Sequence, residues 1–117
     1  MDFLSHSFTL LLFIIGLVYI LAGGILYTFP PKKINPYYGY RTATSMKSQS
    51  RWDFAQRYSA KLLLVLGIFI LGASLLPLLI DITENESMLF GLLLLLSSVV
   101  FLLLKTERIL KKTFPHE

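Results

Sequence analysis

Three stretches of the chain contain no charged residue: 8–29, 62–80 and 88–104. As α-helix at ~1.5 Å per residue they reach roughly 33, 28 and 26 Å, against a bilayer hydrocarbon core of ~30 Å. Each is read as a transmembrane span, the third extended by a snorkelling Lys105. In hydrocarbon every backbone N–H and C=O must pair within its own segment, so helix is the form that such runs take. The expected fold class is an all-α integral membrane protein. A single membrane domain, 1–117, holds three transmembrane helices, a long loop at 30–61, a short loop at 81–87 and a tail at 105–117.

The long loop divides in two. Pro30, Pro31, Pro36 and Gly39 force its first part to turn, whereas residues 42–66 contain neither Gly nor Pro and can be helical. On a helical wheel Trp52, Phe54, Ala55, Tyr58, Ser59 and Leu62 gather on one arc, with Asp53, Gln56, Arg57 and Lys61 on the other. This predicts an amphipathic interfacial helix leading into the second span, either straight or with a bend near Ser59. Ser45, Ser48 and Ser50 are candidate N-caps, Ser50 with Asp53 resembles a capping box, and Asp53 with Arg57 is a favourable i,i+4 pair. Within the spans, small residues recur seven apart, as Gly16 and Gly23, Gly67 and Ser74, Gly91 and Ser98. Two helical turns bring each pair to one face, which predicts close-packed seams between helices. Pro77 cannot bond back to Ala73, so the second span is expected to kink or loosen near its far end.

Charge sets the expected direction. Seven of the eleven basic residues (Lys32, Lys33, Arg41, Lys47, Arg51, Arg57, Lys61) lie in the first loop and the other four (Lys105, Arg108, Lys111, Lys112) in the tail. The second loop holds only acids, Asp81, Glu84 and Glu86, and the N-terminal stub has Asp2 but no cation. The positive-inside rule then predicts an N-terminus outside and a C-terminus in the cytoplasm. A net charge of +4 therefore points to the cytoplasmic leaflet and not to nucleic acid. Ala22-Gly23-Gly24 offers the small residues of a cleavage site, but Asp2 stands where a signal peptide wants basic charge, so the first span is expected to be retained. At 55% hydrophobic content and a mean hydropathy of +0.67, the chain is too apolar for an ordinary soluble domain.

The chemistry-bearing residues sit in the first loop. Of six Tyr and one Trp, Tyr27, Tyr37, Tyr38, Tyr40, Trp52 and Tyr58 fall on its side, Tyr19 lies within the first span, and the opposite side has none. A simple aromatic belt populates both interfaces, so two readings stand: headgroup anchoring and a packed cup for a ligand or peptide. Arg41, in a Gly-Tyr-Arg-Thr turn, carries a planar fork suited to a carboxylate, a phosphate or loop carbonyls. Gly39 suggests a positive-φ turn and Asn35, before Pro36, turn chemistry. Lys32, Lys33, Lys47 and Lys61 suit anionic headgroups. There is no cysteine, the two histidines (His6 and His116) are near opposite ends, and no acid–base pair, phosphate cradle or metal-ligand cluster is legible. A noncatalytic protein without cofactor or metal is expected. The spans hold no Asp, Glu, Lys, Arg or His, which disfavours a coupled transporter.

The stretch Asn35-Pro-Tyr-Tyr-Gly-Tyr-Arg-Thr, then Ser45-Met-Lys and Trp52, resembles the signature of the SdpI family of bacterial membrane proteins, a toxin-immunity family. There an Asn, a Gly-x-Arg-Thr element and a Trp about ten residues on lie between two spans, and the likeness runs from the end of the first span through the third. The family's namesake protects a cell against a secreted peptide toxin and holds a small transcriptional repressor at the membrane. The resemblance implies a bacterial cytoplasmic membrane location and a role for the matched positions Asn35, Gly39, Arg41, Thr42, Ser45 and Trp52. The namesake carries additional N-terminal spans, so the resemblance implies a short form, expected to be a minimal member paired with itself. Joined with the aromatic cup, the expected binding set is Asn35, Tyr38, Gly39, Tyr40, Arg41, Thr42, Ser45 and Trp52. The expected function is an immunity or signalling module whose loop binds a protein, such as a peptide toxin or repressor, or an anionic ligand. The alternative is an oligomeric lipid-interacting enzyme or small carrier.

Overall fold

In the computed structural model, which describes residues 7–115, three α-helices run up, down and up in sequence: α1 Ser7–Thr28, α2 Gln49–Ser74 and α3 Glu84–Thr113. Asp2, His6 and His116 lie outside the described residues. All three helices are long and apolar enough to cross a membrane. Their outward faces, with Leu21 on α1, Ile68 on α2 and Leu93 on α3, are exposed hydrocarbon side chains, as lipid contact requires.

Each helix ends where local chemistry dictates. The backbone of α1 closes with Phe29 N–H on the Ile25 carbonyl, and Pro30-Pro31 follows. Ser48 caps α2, its hydroxyl accepting from Arg51 N–H at 3.2 Å. At the other end α2 stops at Ser74, and a 3-10 turn over Leu76–Leu78 takes up Pro77, whose missing N–H cannot extend an α-helix. A full capping box starts α3: Thr83 Oγ1 accepts from Glu86 N–H and Glu86 Oε1 accepts from Thr83 N–H, both at 3.1 Å. Glu84 and Glu86 in its first turn and Lys111 and Lys112 in its last complement the helix dipole.

The interfacial helix expected from the wheel is not a separate element. It forms the first turns of α2, which runs unbroken through Ser59 because no Gly or Pro interrupts it and the Ser59 hydroxyl bonds back to Gln56 O at 3.3 Å. Its buried arc is also rotated from the expected one: Arg51, Trp52, Ala55, Gln56, Ser59 and Ala60 are buried, against protein and not lipid. Asp53 does not pair with Arg57 but accepts from Gln49 Nε2 at 2.8 Å, and Gln49 also donates to Lys32 O at 2.7 Å.

The small residues form seams. A Cβ added at Gly67 would stand 2.7 Å from Ile20 Cγ1 and 3.0 Å from the Gly16 carbonyl, and one added at Gly23 2.9 Å from the Ala60 carbonyl, so α1 and α2 touch backbone to backbone. Gly91 and Ser98 are buried on α3. Between α1 and α3 the contact is polar, Tyr19 Oη with Ser98 Oγ at 2.9 Å and Thr9 Oγ1 with Ser87 Oγ at 3.4 Å, which satisfies hydroxyls that hydrocarbon would leave bare. At ~1.5 Å per residue α2 and α3 measure roughly 39 and 45 Å, longer than the hydrocarbon core. The surplus lies at the end where the first loop sits, and there the start of α2 and the end of α3 build a small cap.

Candidate functional site

The loop at 29–48 is held in shape by side chains acting as backbone partners. Asn35 Oδ1 accepts from Tyr37 N–H at 2.9 Å and Tyr38 N–H at 2.8 Å, while its Nδ2 donates to Lys33 O at 2.8 Å. The Tyr38 hydroxyl donates to Phe29 O, one of the carbonyls left over at the end of α1. Gly39 takes φ +101°, reversing the chain. Gln56 then grips Tyr40 as a neighbouring strand would, Oε1 accepting from Tyr40 N–H at 2.7 Å and Nε2 donating to Tyr40 O at 2.9 Å. Thr42 and Ser45 exchange bonds, Thr42 N–H to Ser45 Oγ at 2.9 Å and Ser45 N–H to Thr42 Oγ1 at 3.1 Å. Trp52, fully buried, donates its indole N–H to Pro31 O at 2.7 Å and pins the start of the loop to α2.

The end of α3 closes over this assembly. Glu107 Oε2 accepts from both the Tyr40 hydroxyl and the Thr42 hydroxyl at 3.1 Å. Tyr40, Ala55 and Leu110 form an apolar cluster flanked by Phe54 and Phe114, whose rings meet edge to face at 5.8 Å. Arg51, only 3% exposed, donates from Nη2 to Phe114 O at 2.6 Å. Burial first, and then the Glu107 carboxylate beside it, push the Tyr40 phenol well above its ordinary pKa of 10.0. Because the folded value is the higher, the phenol's contribution to docking is complete below pH ~10 and is lost as pH rises through the folded value. In a tyrosinate absorbance titration of the intact protein, Tyr40→Phe is expected to remove amplitude from the part of the curve above the ordinary tyrosine range. A high-pH amplitude unchanged by the substitution would assign the shift elsewhere.

Below Tyr38, Gly39 and Tyr40 lies a groove of about 270 Å³, walled by Ala22, Leu26, Ser59, Leu63 and Leu102. A guest there meets mainly hydrocarbon.

Residues 32–106 match the family model described as the SdpI/YfhL protein family. The chain belongs to the SdpI/YfhL family. It is 40% identical over 96 residues to a Bacillus subtilis (strain 168) protein named "Uncharacterized protein YfhL", covering 82% of each chain. No solved structure matches it. The segment matched by the SdpI/YfhL model takes in the loop from Lys32, α2 and α3 as far as Thr106, one residue short of Glu107.

Within this family member, all eight residues singled out from the sequence fall in the loop or the first turns of α2, but they divide by direction. Asn35, Tyr40, Thr42, Ser45 and Trp52 spend their polar atoms on internal bonds, and Gly39 supplies the reversal. Arg41 and Tyr38 are exposed, beside a Tyr37 that is 86% exposed. The Arg41 guanidinium donates to Pro36 O, so of the partners foreseen for its fork it holds a loop carbonyl. Pro31, Arg51, Gln56 and Glu107 complete the assembly and were not anticipated. Gln56 was within reach of sequence reasoning: at ~100° per residue it stands about 40° from Trp52 on the helix. Glu107 carries no local signal, since its partner Thr42 is 65 positions away.

Proposed function

We propose that the chain is a noncatalytic immunity or signalling module of the bacterial cytoplasmic membrane, whose first loop is a preformed platform for a protein or an anionic ligand. The observation that carries this reading is the division of the loop into an inward set that fixes its shape and an outward set, Tyr37, Tyr38 and Arg41, displayed on it. A surface ordered in advance loses little conformational freedom on binding, so exposed aromatics and an arginine there are the residue types from which interface hot spots are made. The lopsided distribution of Lys and Arg supports a cytoplasmic loop, with the N-terminus outside and the C-terminus inside. By resemblance the partner class is a peptide toxin or a transcriptional repressor, with membrane lipid around it and a second copy of the chain available as a neighbour.

Arg41 is the residue to change. In cells challenged with a secreted peptide toxin, the chain should protect and Arg41→Ala, at equal membrane level and equal unfolding temperature, should protect at least about tenfold less, the effect of losing one charge-assisted anchor. Undiminished protection by that variant would remove Arg41 from the function.

A further inference from the structure

A second basic feature lies apart from Arg41. Between the N-terminal end of α2 and the C-terminal end of α3 is a cleft of about 340 Å³ lined by Thr44, Lys47, Arg51, Lys111, Phe114 and Pro115. Among the described residues, three of its six lining residues are cations and none is a carboxylate.

The two lysines have different standing. Lys111 sits in the last turn of α3, where positive charge complements the helix dipole. Lys47 and Arg51 flank the Ser48 cap of α2, where the dipole is already positive, and the first turn of α2 has no acid to offset them. The cap of α3 follows the opposite pattern, with Glu84 and Glu86. Like charges gathered at the positive end of a helix repel one another, and a bound anion reverses the sign of that repulsion. The Arg51 guanidinium is also fixed in place, buried and tied to Phe114 O, with Phe114 held edge-on by Phe54. Two exposed ammonium groups and the Thr44 hydroxyl, set beside the fixed positive charge of Arg51, make a site suited to the oxygens of a phosphate group.

We propose that this cleft is a phosphate-binding site, filled by the headgroup of an anionic phospholipid or by a free phosphate. It is built from residues other than Arg41 and does not depend on the function proposed above.

The test uses the full chain at fixed salt near 0.15 M, since exposed lysines are screened. Its unfolding temperature is followed in uncharged detergent on titration with inorganic phosphate, and separately in phosphatidylcholine nanodiscs with and without phosphatidylglycerol. A rise with phosphatidylglycerol identifies a lipid headgroup, and a rise with inorganic phosphate a soluble ligand. The double variant Lys47→Gln/Lys111→Gln, which leaves buried Arg51 untouched, should weaken the apparent affinity about tenfold or more. Lys105→Gln/Arg108→Gln removes equal charge from α3 outside the cleft and should change it less than about twofold. No rise with either probe overturns the proposal. So does an equal loss in the two double variants, which would mean diffuse attraction to a charged surface.

Discussion

Replacing Trp52 with Ala is expected to destabilise the protein by about 3–5 kcal/mol and to release the first loop from α2. The indole is the largest fully buried side chain, and its N–H is the donor to Pro31 O, a carbonyl of a buried residue. Truncation therefore opens a cavity and strands an acceptor together. Trp52→Phe separates the two effects, because it keeps most of the apolar volume and loses only the donor, with an expected loss of about 1–3 kcal/mol. Unfolding in detergent gives the magnitude. Trypsin gives the location, since Lys32, Lys33 and Arg41 are exposed in the loop and should be cut faster once its anchor is gone. If Trp52→Ala unfolds at the wild-type temperature with unchanged cleavage, the indole is not what holds the loop.

The spans were readable from the sequence for a reason peculiar to membranes. Hydrocarbon admits no unpaired backbone, so an uncharged run of sufficient length has one regular option, and residues such as those from Leu92 to Leu96 state it without periodicity. The seams were readable too, since Gly16, Gly67 and Ser98 are small residues where lipid alone would favour Leu or Ile. Harder to read was the direction in which α2 buries its first turns. Polarity ranks Gln56 as outward, yet beside Trp52 an amide with one donor end and one acceptor end can serve both backbone groups of Tyr40, and buried polar groups are tolerated on that condition.

The role of α3 was illegible. Its C-terminal turns read as a basic tail, because Lys105, Arg108, Lys111 and Lys112 dominate the composition. In the folded protein the informative residues there are Thr106, Glu107 and Leu110, all on the face turned towards the loop, and two of the three are fully buried. Whether a lone glutamate accepts from a tyrosine and a threonine 65 or more positions earlier depends on helix length and packing, which no local pattern encodes. The consequence for function is concrete. The Gly-Tyr-Arg-Thr motif is mainly a clasp joining loop, α2 and α3, and only Arg41 of the four points a charged group outward.

Gly39→Ala is expected to be the most damaging single-methyl change in the loop, at about 2–5 kcal/mol, from two separate causes. The first is the backbone, since φ +101° is a region that an L side chain enters at about 1–3 kcal/mol. The second is space: the new Cβ would collide with Gln56 Oε1 and lie 2.7 Å from Pro31 Cγ. Gln56 cannot withdraw freely, because both ends of its amide are bonded to Tyr40, and giving up those bonds forfeits roughly 0.5–1.5 kcal/mol each. Gly24→Ala is the matching control, as a Cβ there meets nothing within 4 Å, and it should unfold like the wild type. A double-mutant cycle with Gln56→Ala apportions the two causes. With Gln56 shortened the collision on its side disappears while the backbone term remains, so Gly39→Ala should destabilise that background measurably less than it destabilises the wild type. Equal losses in both backgrounds would assign the effect to the reversal at Gly39 and the collision with Pro31, and none to the grip of Gln56 on Tyr40.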